Sequence, residues 1–525
     1  MDSPALSFLS GEREKAILLV VLLATILIFK RKWSTKKFQL PLPPGPKKLP
    51  LLGNILDMPK KFEWLAFASW GKEFNSDIIH LSVAGSDFIV LNSVKAANEL
   101  FEVRSANYSS RPQFKVLNDL MGWDWLISSM PYGDAWRDRR KLFNDYLHPS
   151  MTQNYQPAQV EFIRKMLVQL IDSPEAFRAT LRHTIGGIAH TMAYALPLKA
   201  ENDPYIIQAE EATGSILEAT TPGAYMVEVV PPLRYLPKWF PGADFQRRLP
   251  YNISLQKEFR NKPFEDVVER MAAGTAKPCL VTTCLSQLDE GQDTAKETVV
   301  IKDTAAIVFA GGADTTVSGT SSFFLTMLHY PWVQTKAQEE LDRVLGPPGT
   351  RLPDFNDAAD LPYVTAVVKE ILRWGPATPT GIAHLASEED VYEGYRIPKG
   401  SMVFGNTWAM LRDEKEYPDP DTFNPERWLK DGKLNPDVQD PTVAAFGFGR
   451  RQCPGSHVAV DALWILAATV LATIRVSKPL DKNGNPFEQE IEYLTGLMCH
   501  PAPFKCTIKP RSKKAEVLIR SVAEE

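Results

Sequence analysis

Cysteine is scarce in this chain. Five occur among 525 residues (Cys279, Cys284, Cys453, Cys499 and Cys506), an odd number with no zinc-type spacing. That excludes a disulfide framework and fits a reducing compartment, with Cys279 and Cys284 as structural or loop thiols. A large excess of charge is also missing: the net charge is −4 with 23% charged residues, so nothing points to nucleic acid. No internal repeat of solenoid period and no flavin or nicotinamide fingerprint is evident. The apolar run near the N-terminus, Ala16 to Phe29, stops at fourteen residues. That is roughly 21 Å of helix against a hydrocarbon core of roughly 30 Å. What the chain has is length and apolar content, 44% hydrophobic over 525 residues. This suffices for a large core and exceeds a typical single domain.

One cysteine stands in distinctive surroundings. Phe446-Gly447-Phe448-Gly449-Arg450-Arg451-Gln452-Cys453-Pro454-Gly455 precedes a largely apolar run, Val458 to Val476, that reads as a buried helix. Glycines on both sides let the backbone turn sharply and approach a flat ligand. A thiolate at a helix N-terminus beside two arginines is stabilised as the anion, as a soft axial metal ligand requires. A lone cysteine is as readily a buried small hydrophobe. The loop resembles the haem-binding signature of the cytochrome P-450 family, matching it at Phe446, Gly449, Arg451, Cys453 and Gly455. The resemblance implies haem b with Cys453 as its axial thiolate, a ligand that favours O–O cleavage. It also implies Arg451 against a haem propionate, Phe446 packed near the ring, and Gly449 and Gly455 shaping the loop.

The N-terminus reads as an anchor. Lys15 precedes the apolar run, and Lys30-Arg31-Lys32 and Lys36-Lys37 follow it. Snorkelling lysines or local thinning make up the missing length. A signal-peptide core has the same length, but no small-residue cleavage site follows. The basic excess after the run places the body in the cytoplasm. Pro41-Leu42-Pro43-Pro44-Gly45-Pro46 is a stiff spacer, similar to the hinge of microsomal family members. The expected organisation is therefore an anchor over 1–40, a hinge over 41–50, a haem domain over 51–510 and a polar tail over 511–525.

Ile78–Val83 and Phe88–Asn92 read as a hairpin about the turn 84–87. The stretch 105–130, aromatic and without steady period, reads as a functional loop; by resemblance it caps the active site and touches substrate, with ordinary core contact the alternative for at least Trp123 or Trp125. Trp136 and Arg140 lie four apart on one helix face, and resemblance assigns both to a propionate. Arg137, Arg139 and Lys141 are either a solvated face or a dock for an acidic redox partner. Residues 229–242, apolar and proline-rich, are either a loop dipping into a membrane or a core connector. The spacing predicts a long helix from Ile301 to Tyr330, ended by Pro331. Midway, Gly311-Gly312-Ala313-Asp314-Thr315-Thr316 places two glycines where each costs roughly 1 kcal/mol relative to alanine. The hexad is similar to the family's central-helix motif, in which the Asp314 and Thr315 positions support proton delivery.

Glu370 and Arg373 share a helix face. By resemblance they join Arg427 in a buried folding network, although Pro425-Glu426-Arg427-Trp428 ends in Trp where Phe is commoner. Resemblance also places Thr378, Thr380 and Ile382 on the substrate pocket, His384 on a propionate, and the turn Leu494–Met498 in the distal pocket. The wording around Ala445–Arg451 and His500-Pro501-Ala502-Pro503-Phe504 resembles fungal members of secondary metabolism, including the O-methylsterigmatocystin oxidoreductase-like group. The expected fold is mainly α with a small β-rich subdomain. The implied activity is monooxygenation of a small apolar substrate with O2, using electrons from an NADPH-cytochrome P-450 reductase. The implied location is single-pass in endoplasmic reticulum lipid, facing the cytoplasm. The length leaves no room for a fused reductase. Alternatives are a haem-thiolate isomerase or dehydratase, against which Asp314-Thr315 argues, and a non-catalytic membrane haem-binding protein.

Overall fold

Helices carry most of the architecture. A computed structural model describes residues 40–522 other than 51, 84, 222–223, 229–230, 236–237, 240–243 and 289–292. The expected anchor, Ala16–Phe29 with its basic flank, lies outside them. In chain order the main elements are α1 (Glu63–Glu73), β1 (Ile78–Val83), β2 (Ser86–Leu91), α2 (Asp134–Leu147), α3 (Gln156–Asp172), α4 (Phe177–Ala193), α5 (Pro204–Thr220), α6 (Asp244–Ala272) and α7 (Leu280–Ser286). They continue with α8 (Thr294–His329), α9 (Pro331–Leu345), α10 (Pro362–Trp374), β3 (His384–Leu385), β4 (Met402–Gly405), α11 (Ser456–Thr473), β5 (Ile474–Ser477), β6 (Thr507–Pro510) and α12 (Lys513–Ser521).

The central helix α8 is longer than its apolar pattern suggested, beginning at Thr294 instead of Ile301. Its first turns are polar, and Asp293 caps them by accepting from the Lys296 amide at 3.2 Å. Tyr330 closes it and Pro331 opens α9, where a missing N–H costs nothing. The buried carboxylate of Glu340 on α9 caps α10, accepting from the amides of Tyr363 (2.9 Å) and Val364 (3.0 Å). In α11 every residue from Ala462 to Thr473 is buried. This helix is long and apolar enough to cross a membrane, yet most of it lies in the core.

The sheet runs β1-β2-β4-β3. β1 and β2 are antiparallel, with Val83 opposite Ser86, so β2 starts two residues earlier than expected. β2 pairs parallel with β4, and β3 antiparallel with β4, setting His384 opposite Val403. The proline-rich stretch leans on this sheet: the Pro44 carbonyl accepts from the His80 amide at 2.9 Å. The last residues are not simply a polar tail. Ser512 caps α12, and Ala515 and Ile519, four apart, are buried. The chain divides into two units. The smaller holds residues 40–42 and 391–396, joined by the Arg396 amide to the Pro41 carbonyl at 2.8 Å. The larger, 43–390 with 397 onward, contains everything described below.

Candidate active site

The cysteine loop closes on itself. The Cys453 amide donates to the Phe446 carbonyl at 2.8 Å, and Gly447 and Gly449 take positive φ of 74° and 57°. Only glycine fits at 449: a Cβ there would stand 2.0 Å from the Phe101 carbonyl oxygen. Gly449 thus seats the loop against the 98–103 turn rather than lining the cavity. Cys453 has open surface, but that surface faces an internal cavity of about 380 Å³, not bulk water. Burial raises the thiol above its ordinary pKa, and the Gly455 amide and Arg140 only partly offset this. The expected thiolate is therefore not stabilised by the loop alone; a coordinated metal deprotonates such a thiol outright.

The central helix forms another part of the wall through Gly311, Gly312, Thr315 and Thr316. The two glycines have different reasons. A Cβ at Gly312 would lie 3.0 Å from Ala189 on α4, whereas one at Gly311 would meet nothing within 4 Å. Gly312 serves helix packing; Gly311 keeps space open in the cavity. Thr315 donates its hydroxyl to the Gly311 carbonyl at 2.8 Å. Asp314 is not on the cavity wall. Its carboxylate turns to Arg182 (3.4 Å) and His500 (3.2 Å). Of the pocket residues expected after α10, Thr378 and Ile382 line the cavity and Thr380 does not. The turn 494–498 does not reach the cavity wall either, and Leu494 is 47% exposed.

Three arginines gather around the same cavity, with no carboxylate on its wall among the described residues. Arg111, Arg140 and Arg451 line it, with the imidazole of His384 beside them. Arg451 donates to the carbonyls of Ser109 (2.7 Å), Ile127 (2.8 Å) and Met130 (2.7 Å), with its guanidinium 4.5 Å over the Trp136 ring. Arg140, one turn from Trp136, donates to the Gln452 carbonyl at 2.6 Å. His384 binds the Tyr108 carbonyl through Nδ1 at 2.7 Å, which leaves Nε2 as the other ring site. Burial, and then Arg111 and Arg451, push its pKa well below the usual histidine value. Burial and the neighbouring Arg140 likewise push Arg451 down to about 9. Arg111 is lowered by burial and by Arg451, and its Nε has no partner among the described residues. Sequence reading missed Arg111, because nothing there distinguishes it from an ordinary loop cation.

Arg139 belongs to neither of its expected roles. It is buried and binds Asp303 on α8 at 3.1 and 2.5 Å; Arg260 from α6 takes the other carboxylate oxygen at 2.5 Å. Trp123 and Trp125 are both core residues. The expected network of Glu370, Arg373 and Arg427 forms between α10 and residues 424–428. Glu370, fully buried, accepts from Arg373 twice at 2.8 Å, the Asn424 amide at 2.8 Å, Arg427 at 3.2 Å and Trp428 at 3.0 Å. The last bond uses the indole N–H, which a phenylalanine lacks.

Buried cations without counter-charge call for an anionic ligand. The residues fit a flat group with carboxylates at one edge and a metal that takes a thiolate. Haem b has that form.

Comparison with known proteins agrees. The Cytochrome P450 family profile matches residues 43–508. Cytochrome P450 monooxygenase 98 of Postia placenta is 44% identical over 489 residues, 93% of this chain and 94% of the relative. Cytochrome P450 monooxygenase ple1 of Rhodocybe pseudopiperita is 41% identical over 93% of both chains. Tryptamine 4-monooxygenase of Psilocybe cyanescens is 39% identical over 92% of this chain and 95% of its own. The chain belongs to the cytochrome P450 family. It is an oxidoreductase of monooxygenase type whose family cofactor is haem b with a cysteine thiolate on iron.

Proposed function

We propose that the protein is a membrane-anchored monooxygenase of fungal secondary metabolism that oxidises a small apolar metabolite. Electrons come from NADPH through a separate reductase at the endoplasmic reticulum, and Cys453 is the axial ligand. One observation carries the reading: the same cavity is lined by Cys453, by Gly311 and Thr315, and by three arginines with no carboxylate among the described residues. Bound haem supplies the activation of O2. Arg111, Arg140 and Arg451 would offer charge and N–H donors to its carboxylates, with Trp136 beneath Arg451, and His384, its Nδ1–H used on the Tyr108 carbonyl, would reach a carboxylate through Nε2 only as that ring gains a proton. Phe446 and Gly455 line the loop side, and Gly449 lets that loop seat against Phe101. Thr315, anchored on the Gly311 carbonyl, holds a hydroxyl at the wall where a proton is needed, and Asp314 links that turn of helix outward. The remaining wall is mainly aliphatic, including Ile127, Ile307, Val308 and Ile382, which suits an apolar substrate and excludes water.

The membrane part rests on Ala16–Phe29 with its basic flank, and on Tyr235 and Trp239, the latter 78% exposed, in the proline-rich connector. Purified protein, reduced and exposed to CO, should show the red-shifted Soret band of thiolate-ligated haem. Cys453→Ala should lose it, and a variant that keeps the band moves the ligand elsewhere. Reductase-dependent NADPH consumption with product formation separates monooxygenation from isomerase chemistry and from haem binding alone.

A further inference from the structure

The motif His500-Pro501-Ala502-Pro503-Phe504 has no part in the site as described so far. Its first residue points at the acid of the central helix. His500 Nε2 lies 3.2 Å from Asp314 Oδ2, while Arg182 of α4 approaches Oδ1 at 3.4 Å. The backbone beneath His500 is fixed on several sides. Ser318, one turn along α8 from Asp314, donates its hydroxyl to the Cys499 carbonyl at 2.5 Å. The Cys499 amide donates at 2.8 Å to the carbonyl of Ala377, a cavity-wall residue. The Leu494 amide closes the turn on the His500 carbonyl at 2.8 Å, and Arg178 of α4 holds the Pro501 carbonyl at 3.3 Å. Pro501 itself restricts His500 to extended backbone. So much anchoring exceeds what an ordinary surface turn requires.

We propose that His500 is a positioning residue: it holds the Asp314 carboxylate just outside the cavity, between the Thr315 turn and the surface. The charged groups around Asp314 are Arg182 and Arg178 on α4, Glu210 on α5, 4.0 Å from Arg182, and His500 itself. Asp314 has only 12% of its side chain exposed, so an unpartnered carboxylate there would be costly. Burial raises its pKa, but the hydrogen bond and charge of His500, with Arg182, outweigh this and hold it below the ordinary aspartate value. Imidazole suits the task because its Nε2–H donates to the carboxylate whether the ring is charged or neutral. Its Nδ1 is buried with no partner among the described residues, so the Asp314 contact is the one polar bond that aims the ring.

This inference rests on the proposed proton-delivery role of Asp314 and Thr315. The test uses the haem-loaded full chain as wild type, His500→Ala, His500→Gln, Asp314→Asn and the Ala/Asn double variant. The first readout is the thermal midpoint of the resting protein, which involves no turnover. A positioned pair gives a double variant no less stable than Asp314→Asn alone. The second readout is product and peroxide per NADPH. Removing a partner that orients a working group typically costs roughly 10–100-fold, so His500→Ala should lower product per NADPH about tenfold. His500→Gln, which keeps a donor, should recover most of it. Additive midpoints, or unchanged coupling in His500→Ala, overturn the proposal. Loss of the CO band in wild type would instead overturn the proposed function.

Discussion

Glu370→Gln is the sharpest test of what ties α10 to residues 424–428. The carboxylate is fully buried and accepts five hydrogen bonds, three of them from the guanidiniums of Arg373 and Arg427. Glutamine keeps the shape, removes the charge and turns an NH2 group toward N–H donors. Arg373, itself fully buried, is then a cation without a counter-charge. Removing one partner of a buried pair typically costs about 3–5 kcal/mol. Total stabilities are about 5–15 kcal/mol, so the loss is a large share. At 1.36 kcal/mol per tenfold it corresponds to roughly 150–5000-fold in the folding equilibrium. The practical assay for this network is a rate, which needs no return to the native state. The half-life of the CO-difference band at fixed temperature, with the yield of haem-loaded protein, reports it. Replacing Glu370 and Arg373 together by leucine and methionine should be milder than Glu370→Gln, because the fully buried Arg373 is no longer stranded and only Arg427, which three backbone carbonyls also hold, loses its counter-charge. A Glu370→Gln protein with wild-type half-life and yield would refute the network as a support of the fold.

Gly449→Ala should fold poorly around haem, since its Cβ would stand 2.0 Å from a backbone oxygen at φ 57°; haem content per chain measures this, and wild-type content would remove the close approach as a constraint. Thr315→Ala should keep haem and the CO band while product per NADPH falls and peroxide rises, by up to roughly 10²–10⁴-fold in the proton-dependent step; unchanged coupling would exclude the hydroxyl. His190 is buried among Tyr194, Tyr205 and Phe309, and burial pushes its pKa down to about 4. The unfolded chain, with a histidine pKa of about 6.5, binds the extra proton first, so stability falls as pH drops below that value, by about 2 kcal/mol between pH 7 and 5. The urea midpoint of wild type should therefore fall further from pH 7 to pH 5 than that of His190→Phe, so that the variant gains on wild type as pH drops; a gap that does not change with pH would refute the buried neutral ring.

Local patterns were the legible ones. The ten residues from Phe446 to Gly455 carry their chemistry within one loop, and Glu370 with Arg373 within one helical turn. The hexad at 311–316 marked the cavity helix correctly, yet Asp314 sits off the wall because its partners, Arg182 and His500, lie 132 and 186 residues away. Asp303 shows the same obstacle. Its two arginines are 164 and 43 residues distant, so Arg139 read as a surface charge when it is buried. The start of α8 was hidden because helix-capping polarity looks like loop polarity. The helix α12 was hidden because only Ala515 and Ile519 mark its buried face.

The three carbonyls held by Arg451 tie the order of events during synthesis to the order of the sequence. Ser109 waits for a partner 342 residues downstream. At roughly 5–20 residues per second of translation, that wait lasts roughly 17–70 s. Throughout it the 105–130 segment, with Trp123 and Trp125, has left the ribosome before the guanidinium that fastens it exists. The nascent chain must therefore keep an aromatic, unfastened segment from sticking to its neighbours until all but about the last seventh of the protein is made. Expression yield should consequently respond to translation speed and chaperone supply far more than the equilibrium stability of the finished fold would suggest.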